Sequence, residues 1–470
     1  MQAASSIGRW RRQKVTIIDD SEFSAGIAME LIMLPLAILT AASLLLTRRI
    51  LGRYKRNHKA TSNWGFKGWL TVAASFIIQG LVLGINLSYS VIYVELQRIL
   101  EKDGVKETSY KTSLVGSLSL GTTFAFSILA GILNDLFSYR TTTILGGCFC
   151  LVGMFSSSFL IHYVEALYFT YGILFGIGAA LCFNPSLAVL GLHFKKRIGL
   201  VCGIVSAGVS VFNFWLPPAL EAMISAIGLD WTLRVVSFLM ILIIVASFTF
   251  NVPDGANEGS ERKKFELSKF LNKENWKRKK FVIWTICIPT ALFGYFVPFV
   301  HMVKFVNVNF PSEDGKIPLM CIGIASAVGR LAFGFFSDYG KINRVMLQQI
   351  ALFSIGVLTM LLVAANAWVY IILIALGIGV FDGCFFSMLG PIAFDLCGPK
   401  GASQAIGFVN GLSAFSVTLG PTIAGKLFEM YNSYTVPFLV AGAPLILGAF
   451  GLFAIMCVSK SKHSAAKNVA

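Results

Sequence analysis

Gly131-Ile132-Leu133-Asn134-Asp135 closes one apolar run of this chain, and Gly334-Phe335-Phe336-Ser337-Asp338 closes another, with Arg140 and Lys341 following shortly after. Glycine, three intervening residues and aspartate at matching places mark a duplicated unit. Around each copy lie about six apolar runs long enough to cross a bilayer, so the chain reads as two membrane halves in tandem. Parallel six-helix repeats with a site between them recur among secondary transporters. The expected fold is an all-α membrane protein of twelve transmembrane helices in two six-helix repeats, plus an extra N-terminal apolar segment.

Composition sets the same bound. With 56% hydrophobic and 13% charged residues and a mean hydropathy of +0.74, a polar surface cannot keep the chain in water. About 20 consecutive apolar residues span roughly 30 Å of hydrocarbon, and that length repeats a dozen times. The lipid bilayer is therefore the first partner. The nine cysteines fall in or beside apolar runs without zinc-type spacing, so no metal site is expected. No phosphate-binding Gly-Lys-Ser/Thr loop, His-Glu-x-x-His or Gly-x-Ser-x-Gly occurs. The sequence thus offers no catalytic residues, no cofactor site and no enzyme chemistry.

The spans fall at 68–95, 112–134, 141–161, 166–192, 199–223 and 231–252, then at 281–304, 317–337, 345–366, 368–394, 402–426 and 435–458. They divide the chain into a basic tail (1–23), an extra apolar helix (24–46), a basic linker (47–65), an N-terminal half (66–252), a basic loop (253–280), a C-terminal half (281–458) and a tail (459–470). Arg140, Lys195, Lys196, Arg197, Lys341, Arg344, Lys400, Lys460 and Lys462 all fall on one side of that count, which the positive-inside rule makes the cytoplasm. The C-terminus is then cytoplasmic, and so is the N-terminus if 24–46 does not span. Basic residues flank 24–46 on both sides, so an interfacial helix is preferred to a thirteenth span. The net charge of +16 sits largely in loops beside the membrane, which favours anionic headgroups as its target and excludes nucleic acid.

Ionisable residues inside spans are few, and therefore informative. Arg330 precedes Asp338 by eight residues, roughly 12 Å of helix, and Asp382 lies near the middle of its span. A lone charge at such depth is costly, so the two are expected to pair or to face water. One reading is a structural ion pair. The other is a carboxylate anchor, because a planar guanidinium meets a carboxylate at two points. His301, near the outer end of the seventh span, is either a passively satisfied polar group or a substrate contact. Asn86 in the first span can donate and accept, and helix packing explains it equally well.

The two signatures, Gly131 to Asp135 with Arg140 and Gly334 to Asp338, resemble the cytoplasmic loop motif of the major facilitator superfamily. More specific is His193-Phe194-Lys195-Lys196-Arg197-Ile198-Gly199-Leu200-Val201-Cys202-Gly203, continuing to Gly208, which is similar to the motif leading into the fifth helix of the monocarboxylate transporter family. His193 stands where tyrosine is usual there. Before the first helix Gly65, Gly68 and Trp69 fit the family, whereas Trp64 replaces an acidic residue and Lys67 an aromatic one. Ala291 to His301, Cys321-Ile322-Gly323 with Gly329-Arg330-Leu331, Phe381-Asp382-Gly383-Cys384-Phe385 running to Phe394, and Ser403 to Phe408 resemble the branch that carries aromatic amino acids and thyroid hormones. The resemblance covers roughly residues 65 to 458.

That resemblance implies a multi-pass plasma-membrane carrier working by alternating access. Arg330, Asp382 and His301 would handle a small carboxylate substrate, with Asn86, on its hydrogen-bonding capacity alone, a further candidate contact, and Gly131, Asp135, Arg140, Gly334, Asp338, Lys195 and Arg197 would gate. Proton-coupled lactate carriers of the family resemble each other in a first-helix lysine, and Leu87 stands at that position here. Facilitated diffusion of aromatic amino acids or iodothyronine-like compounds is therefore the preferred expectation. Proton-coupled symport of lactate or pyruvate and a transport-inactive sensor or scaffold are the alternatives. Some members of the family need a single-span ancillary protein, and that partner stays open for this chain.

Overall fold

A computed structural model describes residues 66–106, 108–194, 197–250, 272–339 and 342–467. The expectations for 1–23, 24–46 and 47–65, for most of 253–280, and for Lys195 and Lys341 lie outside the described residues, as does the end of 459–470.

Among the described residues, ten helices are long and apolar enough to cross a membrane. We label them in chain order together with two that emerge on inspection: α1 Lys67–Lys102, α2 Lys111–Leu136, α3 Tyr139–Ser157, α4 Val164–His193, α5 and α6 within Ile198–Ser247, α7 Lys279–Asn309, α8 Lys316–Phe336, α9 Arg344–Ala364, α10 Trp368–Cys397, α11 Gly401–Tyr431 and α12 Thr435–Ile455. The run Ile198–Ser247 is a single helix by hydrogen bonding, but Gly228 at φ 83° and ψ 167° breaks it, so α5 is 198–227 and α6 is 229–247. Only glycine adopts that conformation without a side-chain clash, which lets two spans meet with no polar loop between them.

Each signature aspartate is followed at once by a helix start. Ser138 accepts a hydrogen bond from the Thr141 N–H at the head of α3, and Asn343 accepts one from the Val345 N–H at the head of α9. These N-caps satisfy donors that a helix end leaves open. In α4, residues Tyr168–Phe175 widen into a π-helix. The Thr122 hydroxyl of α2 bonds the Gly172 carbonyl there at 2.7 Å and steadies the irregular stretch.

Within the first half α1 packs on α5, α3 on α4 and on α6; within the second, α8 packs on α10 and α7 on α12. Two long contacts join the halves, α5 against α8 and α2 against α11. The core holds large fully buried rings, among them Trp284, Tyr295, Phe385 and Phe438. Phe238, Val245, Leu447 and Phe450 are each about 60% exposed on the outside of the bundle. Such an inside-out surface is a liability in water and the ordinary contact with lipid tails.

Candidate functional site

The charges that the sequence places at depth meet. Arg330 of α8 and Asp382 of α10 are 5% and 4% exposed, and the Arg330 Nη2 lies 3.3 Å from Asp382 Oδ2. Arg330 Nε donates to Ser326 Oγ at 3.1 Å, and Ser326 in turn donates to Asp382. The Tyr295 hydroxyl of α7 donates to the other carboxylate oxygen. A buried ion pair is costly without supporting hydrogen bonds, and here both carboxylate oxygens of Asp382 receive one.

Arg330 also reaches across the molecule. Its Nη1 donates to the backbone carbonyl of Ser206 on α5 at 2.7 Å, and Ser210 of α5 meets Ser326 at 3.1 Å. Three of the five guanidinium N–H groups are thus engaged by protein, leaving one on each terminal nitrogen for another acceptor. The guanidinium carbon stands 4.8 Å over the Phe386 ring. Around it Tyr295 stacks on Phe299 with centroids 5.7 Å apart and planes 10° off parallel, and contacts Phe296, Phe385 and Phe386. A fixed cation beside a shelf of rings suits an anion that carries an aromatic group.

The other two residues singled out for substrate stand apart. His301 Nε2 lies 3.0 Å from the Pro421 carbonyl, which makes that nitrogen the donor and ties α7 to α11. Asn86 donates to Val82 O at 3.1 Å and accepts from Ser119 Oγ at 2.8 Å, joining α1 to α2. Neither shares a hydrogen bond with the Arg330 and Asp382 pair. Leu87, beside Asn86, is 41% exposed at the point where α1 is interrupted.

At the signature end the two halves are drawn together along two seams. In the α5/α8 seam Asp338 Oδ1 accepts from the Gly199 N–H at 2.9 Å and Oδ2 from the Leu200 N–H at 2.8 Å. Those are first-turn donors of α5, where a carboxylate is also favoured by the helix dipole. Arg344 completes the cluster, reaching Asp338 at 3.0 Å and Asp395 at 2.9 Å. In the α2/α11 seam Asp135 accepts from Gln404 Nε2 at 2.8 Å, and Asn134 donates to Ser403 Oγ at 3.0 Å and to Asn184 of α4 at 3.2 Å.

The signature glycines sit where opposing backbones nearly touch. A Cβ on Gly334 would lie 2.8 Å from the Gly199 carbonyl, and one on Gly131 2.9 Å from the Ser403 carbonyl. Any side chain at either place would part the seam. Arg140 stacks 4.4 Å over Phe248 at the end of α6, and Arg197 is exposed just before α5.

Sequence reading did not single out Tyr295, Ser326, Ser206, Arg344 or Gln404 for a role. Tyr295, Ser403 and Gln404 lie in stretches that carry the family resemblance, which is the only signal that points to them. Arg344 stands three residues beyond Lys341, in the turn where a basic companion is expected. Ser206 contributes a carbonyl, which no residue type announces. Among the described residues no three His, Cys, Asp or Glu side chains gather to hold a metal.

The profile described as Major Facilitator Superfamily matches residues 82–377 and 316–469. Human "Monocarboxylate transporter 10" is 41% identical over 413 residues, covering 84% of this chain and 79% of that protein. Its namesake in Danio rerio is 38% identical over 409 residues, covering 86% and 81%. "Monocarboxylate transporter 12" of Xenopus laevis is 26% identical, covering 83% and 88%. Among solved structures, the human organic anion transporter MFSD10 (TETRAN) superposes with a TM-score of 0.63 at 16% identity, covering 82% of this chain and 99% of that one. The E. coli fucose:proton symporter FucP gives 0.63 at 11% identity, covering 82% and 98%. At such identities these two show the fold alone.

Proposed function

Because the chain belongs to the monocarboxylate transporter family of the Major Facilitator Superfamily, and is a membrane transporter of organic solutes rather than an enzyme, we propose that it carries aromatic amino acids or iodothyronine-like compounds by facilitated diffusion. The observation that carries this reading is the Arg330 guanidinium beside Tyr295, Phe296, Phe299 and Phe386. The substrate's carboxylate takes the two N–H groups of Arg330 that protein leaves open, and its ring lies on the aromatic shelf. Asp382 balances the cation while the site is empty. His301 and Asn86 act by fixing α7 to α11 and α1 to α2.

Lys and Arg cluster at the signature end, which supports its assignment to the cytoplasm. Both seams are joined there, which supports a conformation closed to the cytoplasm, the carrier opening to the other side of the plasma membrane. Gly131, Asp135, Gly334 and Asp338 hold it, with Arg140 and Arg197 flanking. Substrate binding and gate release are coupled through Arg330. A carboxylate that draws the guanidinium toward itself weakens its bond to Ser206 O, which is one tie of the α5/α8 seam. A ligand shifts such an equilibrium only by binding the two conformations unequally.

Leu87 and the Asn86–Ser119 bond leave no titratable group at the first-helix position where lactate carriers have lysine, which supports diffusion over proton coupling. Uptake of radiolabelled tryptophan, triiodothyronine and lactate, measured in parallel at two external pH values, tests the reading. Saturable aromatic uptake that ignores pH is expected. Lactate uptake that rises on acidification would overturn it.

A further inference from the structure

The segment between the halves ends in a short helix, Lys273–Lys277, that does not hang free. The Asn272 N–H donates to Gln404 Oε1 at 3.0 Å. Asn275, 2% exposed, donates from its side chain to the Gly401 carbonyl at 3.0 Å. Trp276 sets its ring edge-on between Phe281 of α7 and Phe408 of α11, with centroids 5.5 and 5.2 Å away. Arg278 donates to the Leu396 carbonyl near the end of α10 at 2.7 Å. Seven consecutive residues thus grip the first turns of α11, the start of α7 and the end of α10.

Gln404 is what gives this grip a consequence. Its amide has one oxygen and one NH₂ group, and the two ends face different partners: the oxygen takes the Asn272 N–H, and the nitrogen reaches Asp135 of the other half. Fixing the oxygen fixes the direction of the nitrogen. A glutamine left to rotate would surrender side-chain entropy each time it closed on Asp135, and the docked segment removes part of that cost beforehand.

We propose that residues 272–278 are a strap that holds the α2/α11 seam shut and sets the resting balance between the two conformations, with Gln404 as its positioning residue. The strap acts on the gate rather than on the solute. Loosening it shifts the empty carrier toward the state open at the signature end.

Cys202 provides a native reporter away from the strap. It is 1% exposed on α5, and its sulfur lies against Gly390 of α10, where a Cβ would stand 2.8 Å away. Parting the halves at the signature end uncovers it. The experiment applies a maleimide from that side to the full chain in substrate-free membranes and reads Cys202 modification by mass spectrometry. Asn275→Ala and Trp276→Ala should each speed labelling about five-fold, the scale of one neutral hydrogen bond, and Trp276→Phe should restore the slow rate. Gln404→Ala should speed it at least as much, and adding Asn275→Ala to it should change nothing further, because both act through one contact.

Unchanged labelling in Asn275→Ala and Trp276→Ala chains that still carry solute saturably would overturn the proposal. Additive acceleration in the double variant would equally overturn the role of Gln404. Neither outcome depends on which solute is carried, so failure of the strap and failure of the proposed substrate are told apart.

Discussion

The two seams use the same repeated signature and different chemistry. In the α5/α8 seam the aspartate side chain is 10% exposed, grips two backbone N–H groups and is pinned by Arg344. In the α2/α11 seam the corresponding Asp135 is an exposed residue and meets a glutamine side chain, amid a web of Asn134, Asn184 and Ser403. Asp338 thus has two fixed backbone donors and a guanidinium, all charge-assisted, whereas Asp135 meets a rotatable neutral amide and its surroundings are neutral amide and hydroxyl contacts, which are weaker and easily remade. Duplication preserved the geometry and left each seam to acquire its own ties. One seam has Arg330 at its deep end, so it joins the candidate site to the gate. The other has the strap at its surface end.

The sharpest way to break this contrast is at Arg330. Arg330→Ala should abolish uptake, and it leaves Asp382 a buried carboxylate without its cation, an effect of about 3–5 kcal/mol on stability. The double variant Arg330→Ala/Asp382→Asn removes the stranded charge and should recover surface expression without recovering uptake. Saturable uptake in either chain would remove Arg330 from the substrate's path and reduce the pair to a helix tie.

Asp338→Asn comes next. An asparagine has one acceptor oxygen, so it cannot keep the Gly199 and Leu200 N–H groups and Arg344 together. Uptake should fall roughly ten-fold, the effect of about 1.4 kcal/mol, while maleimide labelling of Cys202 rises. Asp135→Asn should lower uptake only two- to three-fold, about 0.5 kcal/mol, since the Gln404 amide can still donate to the remaining oxygen. Equal losses in the two variants would mean that the seams bear the closed state equally, and the chemical contrast would carry no functional weight.

Much of this architecture is legible in the sequence because a bilayer enforces long apolar runs. The expected spans at 317–337 and 345–366 differ from Lys316–Phe336 and Arg344–Ala364 by a residue or two. The expected break after 223 is there too, but as a glycine conformation at Gly228 inside one hydrogen-bonded run rather than as a loop. Arg330 and Asp382 were legible because charges at that depth are rare and need partners. Their other partners were not: Tyr295 and Ser326 look like packing residues until α7, α8 and α10 are assembled, and the Ser206 carbonyl carries no residue signature. The role of Gln404 depends on a residue 269 positions away and on the strap. A contact formed between halves has no local pattern to betray it.

The smallest expected effect concerns the basic companions of the two aspartates. Arg344 reaches both Asp338 and Asp395, whereas Arg140 stacks on the Phe248 ring, a contact worth about 0.5–1 kcal/mol at a site open to water. Arg140→Ala should therefore slow initial uptake less than two-fold, and Arg140→Lys less still, because an ammonium also sits well over a ring. Initial rates at equal surface expression measure both. Should Arg140→Ala match Asp338→Asn, the stacking seen here would be only a resting place, and the partner of Arg140 that limits the cycle would form after the seams have parted. The asymmetry between the halves would then belong to this conformation alone, with the two signatures exchanging roles as the carrier turns over.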